Sequence, residues 1–264
     1  MAANASVAVA PLGGSAAYWG RIGDDDVGTR IVADLRAEGV DTSAVRRVPG
    51  ATSSSDAILV GSNGERLICA YSDSALDPDP AWLPLTSVAQ VDVVLADVRW
   101  PAGAARLFAA ASAARIPAVF DGDVGPPDAL LDLARCATHV AFSQPGLIQA
   151  AGIDAVGKAL ERVAAATAAI VGVTLGEDGF LWRDGAAERR VPAPRVAAVD
   201  TLAAGDVWHG AFALGLGEGM DIPKAAQFAN AAAALKCTRV GGRRGAPTRQ
   251  EVDAILSPQL FNSL

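Results

Sequence analysis

The residues best suited to chemistry are Asp200-Thr201-Leu202-Ala203-Ala204-Gly205-Asp206, followed by Val207-Trp208-His209-Gly210-Ala211-Phe212-Ala213. An extended segment, Arg190 to Val199, leads in, and an apolar, small-residue run with the composition of a helix leads out. Ala203, Ala204 and Gly205 carry almost no side chain, so backbone N–H groups at the helix start stay open to a ligand. A helix start with free N–H groups and a positive dipole end is an anion site. Asp206 is unsuited to binding an anion there. It is suited to taking a proton from a nucleophile aimed at one. A backbone anion hole plus a carboxylate base is the minimum apparatus for moving a phosphoryl group onto a hydroxyl. On this stretch alone, an N-capping Asp on an ordinary helix explains the residues equally well.

Other stretches carry weaker signals. Thr174-Leu175-Gly176-Glu177-Asp178-Gly179 is a strand end with two glycines, read as a close backbone approach to a nucleotide or as a tight turn before the next strand. Arg99 follows an apolar run and precedes Trp100-Pro101. Its guanidinium suits an anionic substrate group, or an ion pair with Asp97 or Asp121. Gly241-Gly242-Arg243-Arg244-Gly245 is either an ion or nucleotide loop or a solvated basic turn. His209, three residues past Asp206, reads as a satisfied structural histidine. No G-x-x-x-x-G-K-[ST] occurs, and no G-x-G-x-x-G opens a helix.

The elements must position these residues. From Val91 onward strand and helix alternate: strands at 91–98, 117–120, 139–142 and 169–175, helices at 102–114, 127–136 and 157–166. That is an α/β pattern, a doubly wound, mostly parallel sheet. Ligands of such sheets sit at the carboxyl ends of the strands, which selects Asp97, Arg99, Asp121, Asp123, Ser143, Gly176 and Gly179. Residues 180–182 and 188–191 read as a hairpin, and helices follow to Leu216 and from Ile222 to about Cys237. Earlier in the chain, Asn4 to Leu12 reads as a helix ending at Gly13-Gly14, Ala16–Trp19 as a short strand, Gly20–Gly28 as a turn and Thr29–Glu38 as a helix. Ser53–Val60 and Arg66–Tyr71 form a hairpin around Gly61-Ser62-Asn63-Gly64. Asp77 to Pro84 is a Pro-rich loop.

The chain has 264 residues, 51% of them hydrophobic and 19% charged, with a formal net charge of -7. This length is compatible with a single domain over 1–264. The negative charge argues against a nucleic-acid partner. The longest apolar run, Val163 to Leu175, has 13 residues and is too short for a membrane span. Cys69, Cys136 and Cys237 are odd in number and scattered, as in a reducing cytoplasm, and no zinc pattern exists.

Together these pieces resemble the PfkB, or ribokinase-like, family of carbohydrate kinases. Two signatures fit in register: Asn4, Ser6 and Gly13 through Gly23-Asp24-Asp25 and Gly28, and Asp200 to Ala213, where the family typically reads D-T-x-G-A-G-D. The resemblance implies a ribokinase-like fold with a small β lid to which residues 53–71 contribute. It implies Asp206 as the base for a sugar hydroxyl and backbone N–H groups of Ala203, Ala204 and Gly205 as the anion hole. Thr174, Gly176, Gly179, Asn230 and Ser143 fall to nucleotide binding, and Asn4 to sugar binding. ATP with Mg2+ is the implied cofactor, K+ or another monovalent cation near Asp200 and Gly241 a further one, and a homodimer through the lid the implied assembly.

Leu95-Ala96-Asp97-Val98-Arg99-Trp100, Phe120-Asp121-Gly122-Asp123, Phe142-Ser143-Gln144-Pro145-Gly146-Leu147 and Ala234-Leu235-Lys236-Cys237-Thr238-Arg239 look like the sulfofructose kinase branch, which phosphorylates 6-deoxy-6-sulfofructose at O1. Arg99 is then the candidate for the sulfonate. Fructose, ribose and keto-deoxy sugar acids are the other candidate substrates, and a non-catalytic ligand-binding relative is the reading from another class. Three departures stand out. Leu202-Ala203 replaces x-Gly, so a methyl enters the anion hole. The N-x-x-E motif reads Ser143-Gln144-Pro145-Gly146. The family's N-terminal central strand, with its sugar-binding Asp, does not precede Met1 in this sequence, so a truncated or fragmentary sequence is expected, with poor sugar affinity if the chain begins at Met1.

Overall fold

The computed structural model describes residues 1–60, 66–76 and 78–257. The chain opens on α1 (Ala2–Val9), which buries Ala5, Val7 and Ala8. β1 (Gly20–Gly23) and β2 (Val45–Val48) pair in parallel, joined by α2 (Asp26–Ala37). The expected strand at Ala16–Trp19 and turn at Gly20–Gly28 are thereby corrected. Ala17 makes a single bridge to Asp41, while Gly20 and Gly23 lie within the ladder around the buried Ile22. The turn is confined to the acidic residues that follow.

Asp25 caps α2, its Oδ1 accepting from Gly28 N at 2.7 Å. The same carboxylate accepts from Ser53 Oγ at 2.6 Å and Ser53 N at 2.8 Å. These bonds, that from the Ser53 hydroxyl first, hold its pKa below the ordinary value. They root the lid hairpin, β3 (Ser55–Val60) and β4 (Arg66–Tyr71), which pair antiparallel with Ser55 opposite Tyr71. The expected turn Gly61-Ser62-Asn63-Gly64, like Asp77 in the Pro-rich loop, lies outside the described residues.

The main sheet begins with β5 (Val94–Asp97), α3 (Pro101–Ala114), β6 (Ala118–Gly122), α4 (Pro127–Cys136), β7 (His139–Ser143), α5 (Gln144–Ala151), α6 (Val156–Ala165) and β8 (Ile170–Thr174). It closes with the hairpin β9 (Phe180–Asp184) and β10 (Ala187–Val191). The strand order is β10-β9-β8-β7-β6-β5, with β5 to β8 parallel and β9 and β10 antiparallel. Both faces are covered, which is why these strands are continuous apolar runs. Phe120, Phe142, Val171 and Val173 pack on α3 to α6 through Phe108, Leu130, Leu147 and Leu160. Val119, Ala141, Phe180 and Trp182 pack on the opposite layer, α7 (Ala204–Gly217) and α8 (Ile222–Cys237), with α9 (Arg249–Leu256) behind. Each large apolar side chain so buried contributes about 1.5–3 kcal/mol against its exposed state.

Two helices escaped the sequence reading. Ser143-Gln144-Pro145-Gly146 looked like a broken motif. It is the start of α5, capped by the Ser143 hydroxyl, with Pro145 in the first turn where its missing N–H costs nothing. α9 starts with a capping box between Thr248 and Glu251, a signal that was present in the sequence. Among the described residues no helix is long and apolar enough to cross a membrane.

Candidate active site

A cleft of about 1680 Å³ lies over the carboxyl ends of β5 to β8, bordered by α1, the start of α7 and the lid. Asp97, Asp121, Asp123, Ser143 and Thr174 reach it from successive strands, and Arg99 from the turn after β5. Asn4 comes from α1, and Ala203, Ala204, Gly205 and Asp206 from the start of α7. Residues scattered over 200 positions thus meet where a parallel sheet presents its ligands.

Ala203 precedes α7 in the left-handed conformation, φ 62°, a strained setting for a residue with a Cβ. Among the described residues no side chain caps the helix. Ala204 N donates to Thr201 O at 3.2 Å and Val207 N to Ala203 O at 3.0 Å. The N–H groups of Ala203, Gly205 and Asp206 make no such bond among the described residues. Gly205 is exposed, with open space where a Cβ would stand. The turn therefore offers backbone donors and a positive dipole end to the cleft.

Asp206 faces α1. Its Oδ2 accepts from Asn4 Nδ2 at 2.7 Å, and Asn4 Oδ1 accepts in turn from Arg243 Nη1 at 3.1 Å. The close crossing of α1 and α7 depends on Gly210, where a Cβ would lie 2.4 Å from the Ala5 carbonyl oxygen. Trp208 and Phe212 fix the other side of α7, stacked with ring centroids 4.8 Å apart and backed by Phe180.

Below Asp206, Asp121 is buried, and burial pushes its pKa up to about 7 while His209 pulls it down. His209 Nε2 lies 3.4 Å from Asp121 Oδ1 and 3.0 Å from Ala141 O, and Nδ1 lies 2.8 Å from Gly205 O. This histidine is fully engaged in holding the α7 start against β6 and β7. Asp97 joins α1 to the sheet, Oδ2 accepting from Ala2 N at 2.8 Å.

Asp200 knits together the two loops flanking the anion-binding turn. Oδ1 accepts from Leu202 N at 2.8 Å, and Oδ2 from Gly241 N at 3.1 Å and Gly242 N at 3.2 Å. Those backbone bonds, Leu202's first, hold its pKa down to about 2.

Five of the residues selected from sequence stand outside the cleft lining: Asp200 and Gly241 in the loops just described, and Asn230, Gly176 and Gly179. Asn230 is 3% exposed. Its Oδ1 accepts from Trp208 Nε1 at 2.7 Å, and its Nδ2 donates to Val191 O at 3.0 Å and Pro192 O at 3.2 Å. That amide locks α7, α8 and the end of β10 together. Gly176 and Gly179 form the tight turn from β8 to β9, and a Cβ on Gly179 would lie 2.1 Å from Val191 O. Thr174 and Ser143 remain at the cleft, with Ser143 Oγ donating to Asp123 Oδ1 at 2.7 Å.

Arg99 is exposed at the cleft and makes no ion pair among the described residues. Only its backbone N bonds to Asp97, at 2.8 Å. Sequence reasoning missed Arg21, which also lines the cleft and stacks over the Trp100 ring at 4.3 Å. It left Arg243 undecided as part of a basic turn. Neither has a local signal, since each acquires its role from a partner distant in sequence.

The profile described as pfkB family carbohydrate kinase matches residues 1–249. The chain is 32% identical over 258 residues to a Bacillus subtilis ribokinase, covering 97% of this chain and 86% of the relative. It is 29% identical over 281 residues to fructokinase-1 of Oryza sativa subsp. japonica, covering 95% and 85%. A ribokinase-like crystal structure from Agrobacterium tumefaciens superimposes with a TM-score of 0.94 at 41% identity, covering 100% of this chain and 87% of that one. With the three-layer fold, the cleft at the strand ends and the open turn before Asp206, these likenesses show that the chain belongs to the pfkB family of carbohydrate kinases.

Proposed function

We propose that this kinase transfers the γ-phosphoryl group of ATP to a sugar hydroxyl, with Asp206 as the base. The observation that carries the reading is the union, at one helix start, of N–H groups unbonded among the described residues and a carboxylate opening on a large cleft. Asp206 accepts the hydroxyl proton as the oxygen attacks the γ-phosphorus, and the bond from that phosphorus to the β,γ-bridging oxygen breaks so that ADP leaves. Ala203, Gly205 and Asp206 N–H groups bind the phosphoryl oxygens as their charge redistributes. Asn4, held by Arg243, orients the carboxylate and offers an amide to the sugar. Mg2+ bound with the nucleotide would neutralise phosphate charge. ATP itself fits a site rich in backbone donors.

For the substrate we favour a sugar bearing an anionic group, 6-deoxy-6-sulfofructose phosphorylated at O1 being the leading case. Arg99 supports it, as a guanidinium at the cleft with no ion-pair partner among the described residues, and Arg21 adds positive charge nearby. Ribose or fructose is the second reading, favoured by the ribokinase and fructokinase relatives. A lid-to-lid dimer is supported by Leu59 and Leu67, cross-strand partners that are each 61% exposed; sedimentation checks it.

An ADP-release screen over ribose, fructose, keto-deoxy sugar acids and sulfofructose tests the substrate. Arg99→Met should weaken a sulfonated sugar far more than fructose, and equal losses would rule out the anionic substrate. ATP binding without turnover of any sugar would favour a non-catalytic relative.

A further inference from the structure

The family resemblance implies a monovalent cation near Asp200 and Gly241, but the space around Asp200 already holds a charge. Lys236, in the last turn of α8, is 0% exposed. Its Nζ donates to the Asp200 carbonyl oxygen at 2.6 Å and lies 3.4 Å from Asp200 Oδ2. A buried ammonium needs partners for its charge and its N–H groups. This one has both a carbonyl and a carboxylate.

The same carboxylate ties the 200–202 turn to the 241–242 turn through three backbone N–H groups. The end of α8 grips the chain just upstream as well, since Cys237 O accepts from Val199 N at 2.8 Å and Asp200 N at 3.1 Å. The ammonium therefore sits under the junction that sets the Ala203 turn. A soluble monocation seeking the Asp200 oxygens would find them facing an equal charge on a tether, in a poorly solvated place where like charges repel strongly.

We propose that Lys236 is the built-in cation of this site, a positioning residue whose ammonium clamps the Asp200 turn and makes a soluble monovalent cation unnecessary. The proposal deepens the kinase reading and rests on it. It predicts that the anion-binding turn is held in shape at any K+ concentration.

The test uses the full chain in chloride salts of K+, ammonium and tetramethylammonium at equal ionic strength, and reads both the Tm of the ligand-free protein and ADP release. Wild type should show the same Tm and turnover in all three. Lys236→Ala should lower Tm and reduce turnover by up to about a hundredfold, the scale of a small misplacement of catalytic groups. K+ or ammonium should restore much of both in Lys236→Ala, because the vacated volume still presents the Asp200 oxygens. Lys236→Met, which fills that volume with an apolar chain, should show the loss without the restoration. Activation or stabilisation of wild type by K+ would overturn the proposal. So would a Lys236→Ala variant that behaves as wild type, or one whose loss no cation restores. If the variants fail to fold, the wild-type salt comparison decides alone. If wild type phosphorylates no sugar in any salt, the kinase reading fails, and the Tm comparison still tests the cation.

Discussion

Asn4 and Asp206 are joined by a 2.7 Å hydrogen bond across 202 residues of sequence. The donor stands on the first helix of the chain and the acceptor in the first turn of α7. Arg243 completes the line at 3.1 Å from Asn4, so the carboxylate is aimed by a chain of two side chains from opposite ends of the protein. In Asn4→Ala, kcat/KM for the preferred sugar should fall about ten- to a hundredfold, the worth of a charge-assisted hydrogen bond. Steady-state kinetics check this. An unchanged kcat/KM would show that Asp206 needs no aiming.

Gly210 is what lets that bond form. A Cβ there would meet the Ala5 carbonyl oxygen at 2.4 Å, and backbone cannot retreat as a flexible side chain does. Gly210→Ala should destabilise the fold by about 1–3 kcal/mol, as overpacked interiors do. It should lower turnover as well, since α1 carries Asn4 away from Asp206. Urea unfolding and kinetics on the same sample separate the two effects.

Ala203 sits in the left-handed region without being glycine. Removing its methyl relieves about 1–2 kcal/mol of backbone strain, and the added freedom of the unfolded chain takes back about 0.5–1 kcal/mol. Ala203→Gly should therefore melt close to wild type. Ala203→Val places a β-branched residue at the same φ and should cost about 1–3 kcal/mol. Thermal unfolding of both variants checks the pair.

Asp121 makes stability depend on pH with a definite sign. Its pKa is raised from 3.8 to about 7, burial being the first cause, with Asp206 and Asp97 adding to it and His209 opposing. The folded protein thus keeps a proton that the unfolded chain releases. Between pH 3.8 and about 7 this carboxyl lowers stability progressively as pH rises, and the loss levels off above that window. Asp121→Asn should show a flatter Tm profile than wild type there. Parallel profiles would place the proton elsewhere.

Much of this arrangement was legible in the sequence because it is local. The apolar runs of β5 to β8 alternate with amphipathic segments, so the parallel sheet and the cleft at its carboxyl ends follow from periodicity. The small residues before Asp206 announce an open helix start in the same way. Long-range pairings left no local trace. Lys236 reads as an ordinary basic residue at a helix end, and only the fold brings Asp200 over its ammonium. Asn230 falls to nucleotide binding by the family resemblance, yet in the fold Trp208, Val191 and Pro192 use its amide. Pro145 hid α5, because proline breaks a helix in the interior but not in the first turn.

The central claim is that Asp206 is the base, and Asp206→Asn tests it most directly. The amide keeps the size of the carboxylate and its neighbours while removing proton acceptance. ADP release with the preferred sugar should fall about 10²- to 10⁴-fold in Asp206→Asn, while ATP affinity and Tm stay near wild type. A variant that folds, binds ATP and turns over within about tenfold of wild type would contradict the account, since general-base catalysis is worth more than that.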